Sequence, residues 1–212
     1  MNVLITGGSR GIGAEVVRQA TNPAWEVYAP PRSKLNLRES KSLFGFLADL
    51  STWDFDVLLF CHGTWYSGTP FSRIGNEQSW LDQYRERVAG PMFIVDSYLG
   101  VGKNISVVMV SSTRGFIGGV DTGSYAAACA AQIALMQGYA REWPGSRFNA
   151  ICPGWTDTDM GKEVLATGGA NPNAVPQDPA VVAAKIVELI ESEANGTVLR
   201  IVDGKTSQAS WI

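Results

Sequence analysis

Residues 2–13 read NVLITGGSRGIG, an apolar run that leads directly into a cluster of glycines. The apolar part, Asn2–Thr6, is typical of a strand buried on both faces, and a helical pattern follows at Ile12–Ala20. Glycines between a strand and a helix let the backbone turn tightly and bring its N–H groups close to a pyrophosphate. The stretch therefore predicts a dinucleotide-binding turn; the alternative is a glycine-rich turn that holds no ligand.

The rest of the chain continues this alternation of strand and helix. Because strands that alternate with helices form parallel sheets covered on both faces, an α/β fold is predicted. The segment after the second strand leaves no room for a helix, so Lys34–Leu37 is predicted as a short third strand. The other predicted strands are Trp25–Ala29, Val57–Cys61, Ile105–Val110, Arg147–Cys152 and Thr197–Val202, and the other helices are Arg38–Leu50, Asn76–Leu99, Ser124–Glu142 and Asp178–Ser192.

Length and composition narrow the class of protein. With 212 residues, 45% of them hydrophobic, residues 1–212 are expected to form a single domain that folds without disulfides. A net charge of −3 does not suggest a nucleic-acid-binding surface. Three cysteines without CxxC spacing and a single histidine argue against a zinc site. Neither a long apolar run nor a signal-peptide pattern is present, so we expect a cytoplasmic protein without membrane or nucleic-acid partners.

The glycine turn is the first of several motifs along the chain. They are Thr6-Gly7-x-x-x-Gly11-x-Gly13, Ser111-Ser112, Tyr125 thirteen residues after Ser112, Asn149-Ala150-Ile151-Cys152-Pro153-Gly154 with Thr158, and Val202-Asp203-Gly204. Their order resembles that of the short-chain dehydrogenase/reductase family. The resemblance implies a three-layer Rossmann fold with a parallel sheet of about seven strands, ordered 3-2-1-4-5-6-7. It also implies hydride transfer between NAD(H) or NADP(H) and a small-molecule carbonyl or alcohol.

The family resemblance also implies which residues contact the cofactor. An acid at the end of the second strand would suit NAD, but residues 28–34 contain no acid and two bases, Arg32 and Lys34. Together with Arg10 they favour NADP(H) over NAD(H); the alternative is that Arg32 and Lys34 are solvated surface charges. The implied cofactor-binding residues are Gly7, Ser9, Arg10, Gly11, Ile12, Gly13, Arg32, Lys34, Asn36, Gly63, Pro153, Gly154 and Thr158.

The catalytic residues depart from the family pattern at two positions. Ser112 would orient the substrate oxygen and Tyr125 would donate or accept the proton. The family lysine, four residues after the tyrosine, is replaced by Cys129, whose alternative role is a small buried apolar residue. The family asparagine is replaced by Arg87, which would return a positive charge to the region of Tyr125. Alternatively, Arg87 points outward and pairs with Glu86, Asp82 or a neighbouring subunit.

Two functions of different classes remain open at this point. One is an NADP(H)-dependent oxidoreductase whose proton relay is altered. The other is a cofactor-binding or assembly subunit that has lost catalysis. The family resemblance further implies a homodimer or homotetramer, formed through the helices at 76–99 and 124–142. His62, the only histidine, is more often a packed or solvated residue than a catalytic base.

Overall fold

The computed structural model describes residues 1–48, 54–65, 77–119, 122–166, 173 and 175–209. Seven strands form one sheet, in the spatial order β2-β1-β3-β4-β5-β6-β7. All neighbouring pairs are parallel except β6 and β7, which form an antiparallel hairpin at one edge. The strands are β1 (Asn2–Thr6), β2 (Glu26–Tyr28), β3 (Val57–Phe60), β4 (Ser106–Val110), β5 (Arg147–Pro153), β6 (Val198–Val202) and β7 (Lys205–Gln208).

Helices cover both faces of this sheet. The longest is alanine-rich, and alanine has the highest helix propensity. A π turn at Arg85–Ala89 separates two of the helices, and a 3₁₀ turn at Thr113–Gly115 lies between a strand and the longest helix. The helices are α1 (Gly11–Gln19), α2 (Ser40–Ala48), α3 (Glu77–Tyr84), α4 (Gly90–Gly100), α5 (Gly123–Glu142), α6 (Asp159–Ala166) and α7 (Pro179–Glu191). Within the described residues, no helix combines the length and apolarity needed to cross a membrane.

Two apolar clusters lie on opposite sides of the sheet. One packs the sheet against α2, α4 and α5, and the other packs it against α1 and α7. Every residue of β3 and β4 is buried, as expected for central strands covered on both faces. The α/β Rossmann-type fold predicted from the sequence is therefore confirmed.

The predicted third strand, Lys34–Leu37, is wrong. The backbone N–H groups of Lys34 and Leu35 both donate to the carbonyl of Pro31, at 2.8 and 3.1 Å, so a turn uses groups that a strand would need. The predicted order 3-2-1-4-5-6-7 therefore lacks its first strand. The seventh strand of the observed sheet is β7, which the sequence analysis missed together with α6. All four residues of β7 are exposed and polar, so they lack the apolar pattern of a buried strand.

The π turn at Arg85–Ala89 has a local cause in Pro91. Proline has no backbone N–H, so the carbonyl of Arg87, four residues earlier, cannot receive its usual helical hydrogen bond. The side-chain amide of Gln132, on α5, donates to that carbonyl instead, at 3.0 Å. Gly90 N–H donates to the carbonyl of Arg85, which closes the wider turn. This widening helps to place Arg87 on the buried side of the helix.

Candidate active site

A cleft of about 350 Å³ opens at the carboxyl ends of the parallel strands, where α/β proteins bind their ligands. The residues after β1, β3, β4 and β5 all contribute to it. Most residues predicted as catalytic or cofactor-binding line this one cleft. Those that do are Gly7, Ser9, Arg10, Gly11, Ile12, Arg32, Asn36, Gly63, Arg87, Ser112, Tyr125, Pro153, Gly154 and Thr158. Gly13, Lys34 and Cys129 are not part of its described lining.

The glycine turn is packed so closely that side chains would not fit. A Cβ added to Gly7 would lie 2.6 Å from the backbone nitrogen of His62, and its φ of +75° is one that glycine adopts readily. A Cβ on Gly13 would collide with the carbonyl of Gly7. Gly13 therefore supports the turn from behind, while Gly11, with φ +56°, faces the cleft.

The N-terminus of α1 points to an anion site. Arg10 is its N-cap residue, and no side-chain hydrogen bond from the described residues caps this end. The backbone N–H groups here are thus free to bind a phosphate. Arg10 and Arg32 are exposed at the cleft, whereas Lys34 is exposed away from its described lining. Asn36 lines the cleft, and its side-chain amide donates to Glu39 at 2.6 Å.

The opposite wall comes from the end of β5 and the start of α6. Pro153 is the last residue of β5, and Gly154 donates its N–H to the carbonyl of Ile201 at 2.7 Å. Thr158 accepts a hydrogen bond from the N–H of Gly161 at 3.1 Å, which stabilises the first turn of α6. Trp155 and Met160 add apolar surface to this wall.

Ser112 and Tyr125 meet at the far end of the cleft. Ser112 follows β4 and caps the 3₁₀ turn, where its Oγ accepts from the N–H of Arg114 at 3.1 Å. Tyr125 lies in the first turn of α5, and its ring packs edge-on against Trp65 with 5.3 Å between the ring centroids. A hydrogen bond with Ser112 lowers the pKa of Tyr125. The two predicted catalytic residues are therefore neighbours.

Arg87 points inward and not outward. It is only 3% exposed, and its guanidinium carbon lies 4.5 Å from the centroid of the Tyr125 ring. Its Nε donates to Gln83 at 3.0 Å, and its terminal nitrogens lie so close to Gly63 that a Cβ there would collide with them. The alternative of a solvated Arg87 paired with Asp82 or Glu86 is thus wrong for this structure, because no described acid forms an ion pair with it.

Cys129 lies one helical turn after Tyr125 and is fully buried. Burial raises the pKa of its thiol, despite the nearby charge of Arg87, so the thiol is neutral at physiological pH. The backbone carbonyl of Cys129 accepts a hydrogen bond from the Ser111 hydroxyl at 2.9 Å. The position of the family lysine therefore holds no charge.

Burial dominates the acidity of Tyr125. Together with the nearby Cys129, it raises the pKa of the phenol to about 12, against the lowering effects of Arg87 and Ser112. At neutral pH the phenol is thus protonated and can donate a proton. It is a poor proton acceptor unless further positive charge lowers its pKa.

A polar network formed by Glu86, Arg38 and Thr64 lies next to Arg87 in the chain. Glu86 is 7% exposed, and its Oε2 accepts from Arg38 Nη2 at 2.7 Å and from Arg38 Nε at 3.1 Å. Its Oε1 accepts from the Thr64 hydroxyl at 3.2 Å. Burial alone would raise the pKa of Glu86, but the hydrogen bonding and charge of Arg38 and the charge of Arg87 outweigh that effect and lower the pKa. Glu86 is therefore an ionised, paired carboxylate.

His62 is held as a neutral ring between β1 and the π turn. Its Nε2 lies 2.5 Å from the carbonyl of Glu86 and must donate to it, so Nδ1 accepts from the Thr6 hydroxyl at 2.6 Å. Burial lowers the pKa of His62 to about 4, against the effect of Glu86. The interpretation of His62 as a packed residue fits these contacts better than a catalytic base does.

Gln83 and Glu86 are residues of the site that the sequence motifs do not reveal. Both are buried on the same face as Arg87, on the helical segment that leads to Pro91. Polar residues at positions where helical periodicity predicts core are the signal that marks them. Arg38 and Thr64 carry no such signal, because they lie outside the described helices and strands. Among the described residues, no group of three or more His, Cys, Asp or Glu side chains is arranged to hold a metal ion.

Comparison with known proteins gives a family match. A family model described as short chain dehydrogenase matches residues 48–168, more than half of the chain. No curated protein matches the sequence.

Solved structures resemble the fold over nearly the whole chain. A short chain dehydrogenase family protein from Francisella tularensis subsp. tularensis SCHU S4 has a TM-score of 0.81 at 20% identity, covering 94% of this chain and 96% of that one. A small-chain dehydrogenase in complex with NADPH has a TM-score of 0.79 at 22% identity, covering 96% and 97%. A 4-hydroxyisoleucine dehydrogenase complexed with NADH has a TM-score of 0.81 at 17% identity, covering 96% and 97%.

Proposed function

Because the chain belongs to the short-chain dehydrogenase family, we propose that it is an NADP(H)-dependent oxidoreductase that interconverts a small-molecule carbonyl and an alcohol. The observation that carries the proposal is the juxtaposition of Ser112, Tyr125 and Arg87 at one end of the cleft, opposite the glycine turn. When bound, the cofactor supplies the hydride. Side chains of the protein carry out the remaining steps.

The residues of the cleft fit a dinucleotide. Gly11 and the uncapped end of α1 leave backbone N–H groups free for the pyrophosphate. Arg10 and Arg32 supply positive charge where the adenosine ribose is expected, and residues 28–34 contain no acid that would favour NAD. One solved structure of similar fold is an NADPH complex and another is an NADH complex, so the arginines carry the preference for NADP(H).

In carbonyl reduction, Ser112 donates a hydrogen bond to the substrate oxygen and holds it beside Tyr125. As the carbonyl carbon accepts the hydride, the Tyr125 hydroxyl donates its proton to that oxygen and an alcohol forms. The phenolate that remains lies beside Arg87, whose charge stabilises it until it takes a proton back from solvent. Arg87 stays protonated throughout, so it acts through its charge and not as a proton carrier.

Trp155 and two residues of α6, Met160 and Val164, line the cleft. Their surface favours an apolar or aromatic carbonyl compound over a small hydrophilic one. We further propose a homodimer or homotetramer, because α3 exposes the apolar side chains of Leu81 and Tyr84, and small residues of α5 line a groove with Tyr84.

A cofactor-binding subunit without catalysis is the second candidate, and the neutral thiol of Cys129 at the lysine position favours it. The test is NADPH binding by calorimetry, followed by NADPH oxidation across aldehydes, ketones and quinones. Binding with turnover that depends on Tyr125, removed by Tyr125→Phe, supports the oxidoreductase. Binding with no turnover across the panel supports the subunit without catalysis, and no binding of either dinucleotide contradicts both candidates.

A further inference from the structure

Two oppositely charged residues stand next to each other on the π turn, yet they do not pair. Glu86 and Arg87 are both more than nine-tenths buried. Two unlike charges in a region of low polarity attract each other strongly, so an unoccupied Glu86 carboxylate would draw the guanidinium of Arg87 toward itself. Something must therefore occupy that carboxylate.

Arg38 and Thr64 occupy both of its oxygens. Arg38 reaches Glu86 from the segment between β2 and α2, and two of its nitrogens bond Oε2. Thr64 bonds Oε1, and Arg38 also donates to the Thr64 hydroxyl at 2.6 Å, which ties the three side chains together. The ion pair is itself largely buried, with 17% of the Arg38 side chain and 9% of the Glu86 side chain exposed.

Arg87 is left with a neutral partner. Gln83 accepts from its Nε at 3.0 Å, and Gln83 in turn donates to the carbonyl of Thr64 at 2.8 Å. The negative charge of Glu86 is neutralised by Arg38, while the positive charge of Arg87 is not neutralised by any described carboxylate. That charge therefore acts on the ring of Tyr125.

We propose that Arg38 is a positioning residue for the proton transfer: by holding Glu86, it keeps the guanidinium of Arg87 beside Tyr125. The relevance to catalysis rests on the proposed function, but the positioning itself does not. Arg38 is not part of the described cleft lining, whereas its partners Glu86 and Thr64 are, so its effect on the reaction passes through these partners and Arg87.

The test compares crystal structures of the wild-type protein and the Arg38→Met variant. We expect the guanidinium of Arg87 to leave the Tyr125 ring and pair with Glu86 in the variant, at a nitrogen–oxygen distance of about 3 Å. A guanidinium that remains at the Tyr125 ring would overturn the proposal. Arg38→Gln, which keeps a donor but removes the charge, gives the same comparison if Arg38→Met does not fold.

Kinetic measurements then distinguish a positioning role of Arg38 from a general effect of Arg38 on the stability of the protein. In an active enzyme, Arg38→Met should lower kcat by about tenfold or more, and adding Glu86→Gln should restore most of that loss, because Arg87 then has no carboxylate to pair with. A double variant as slow as Arg38→Met would overturn the proposal. Arg18→Met, which removes an exposed cation paired with Glu15 on α1, is the matched control and should leave kcat unchanged. If the wild-type protein reduces no carbonyl, the proposed function fails. The comparison of crystal structures still tests whether Arg38 keeps the Arg87 guanidinium beside Tyr125.

Discussion

The buried guanidinium of Arg87 lies 4.5 Å from the ring centroid of Tyr125, which is half-buried at one end of the cleft. The two residues come from different helical segments, so the cation reaches the tyrosine from outside α5. In the family pattern, the cation is a lysine on the same helix. The structure therefore places a positive charge beside Tyr125 from a different helical segment.

Cofactor preference gives the first prediction. Arg10 and Arg32 are exposed at the cleft, so NADPH should bind at least tenfold more tightly than NADH, a difference of about 1.4 kcal/mol. Arg32→Met should remove most of this preference by weakening NADPH binding alone. Calorimetric titration measures both affinities. Lys41→Met, on the neighbouring α2, is the matched control, and equal wild-type affinities would contradict the prediction.

The pH dependence of the two reaction directions gives the second prediction. The pKa of Tyr125 is raised to about 12, mainly by burial, so the phenol is protonated across pH 6–9. Carbonyl reduction needs that proton and should not titrate with Tyr125 in this range. Alcohol oxidation needs the phenolate, so its rate should rise about tenfold per pH unit.

Cys129→Lys tests the cause of this profile. The added ammonium group should lower the pKa of Tyr125 and accelerate alcohol oxidation at pH 8. Cys129→Ala removes the thiol without adding charge and should keep the rise with pH. An oxidation rate that is already level between pH 7 and 9 in the wild-type enzyme would show that the phenol ionises more easily than its burial indicates.

His62 gives a prediction about stability. Its pKa is lowered to about 4 in the folded protein, from its ordinary value of 6.5, mainly by burial. Between these values the unfolded chain binds the proton and the folded chain does not, so stability is full above about pH 6.5 and falls as the pH drops. By pH 5 the loss should be about 1–2 kcal/mol. Urea unfolding at pH 7 and pH 5 measures it, and a His62→Gln variant with the same loss as the wild-type protein would exclude His62 as the cause.

The assembly prediction concerns the groove between α3 and α5. Tyr84, Ala134 and Gly138 are among the residues that line it. If subunits meet there, Ala134→Arg should convert a dimer or tetramer into smaller species, because a charged side chain would enter the interface. Light scattering at micromolar concentration measures the mass. Glu188→Arg, on α7 at the opposite face of the sheet, is the control, and a monomeric wild-type protein would contradict the prediction.

Most of the fold could be predicted because its strands are buried on both faces and leave continuous apolar runs. β1 was predicted at its exact bounds, since the glycines after Thr6 end the strand abruptly. β7 could not be predicted, because it is an exposed edge strand whose partner lies across a tight turn. The prediction of a strand at Lys34–Leu37 is wrong because apolar residues alone do not distinguish a strand from an irregular segment. Leu35 and Leu37 are buried in the core, but the segment that carries them is irregular.

The parts of the candidate site that depend on motif spacing could be predicted from the sequence. The parts that depend on contacts between residues distant in the chain could not. The positions of Ser112, Tyr125 and the glycine turn follow from local sequence order. The direction of Arg87 does not, because it depends on Glu86 being held by Arg38, forty-eight residues away in the chain. The sequence shows that Arg87 follows an acidic residue, Glu86, but it does not show that Arg38 already forms an ion pair with that residue.

The most direct measurement of the central claim is the turnover of Arg87→Ala, with Arg85→Ala, an exposed arginine of the same π turn, as the control. We predict that Arg87→Ala lowers kcat by on the order of 10² while NADPH affinity stays nearly unchanged, and that adding Cys129→Lys recovers part of the loss. An active enzyme in which Arg87→Ala turns over as fast as the wild-type protein would contradict the claim that Arg87 supplies the positive charge at Tyr125.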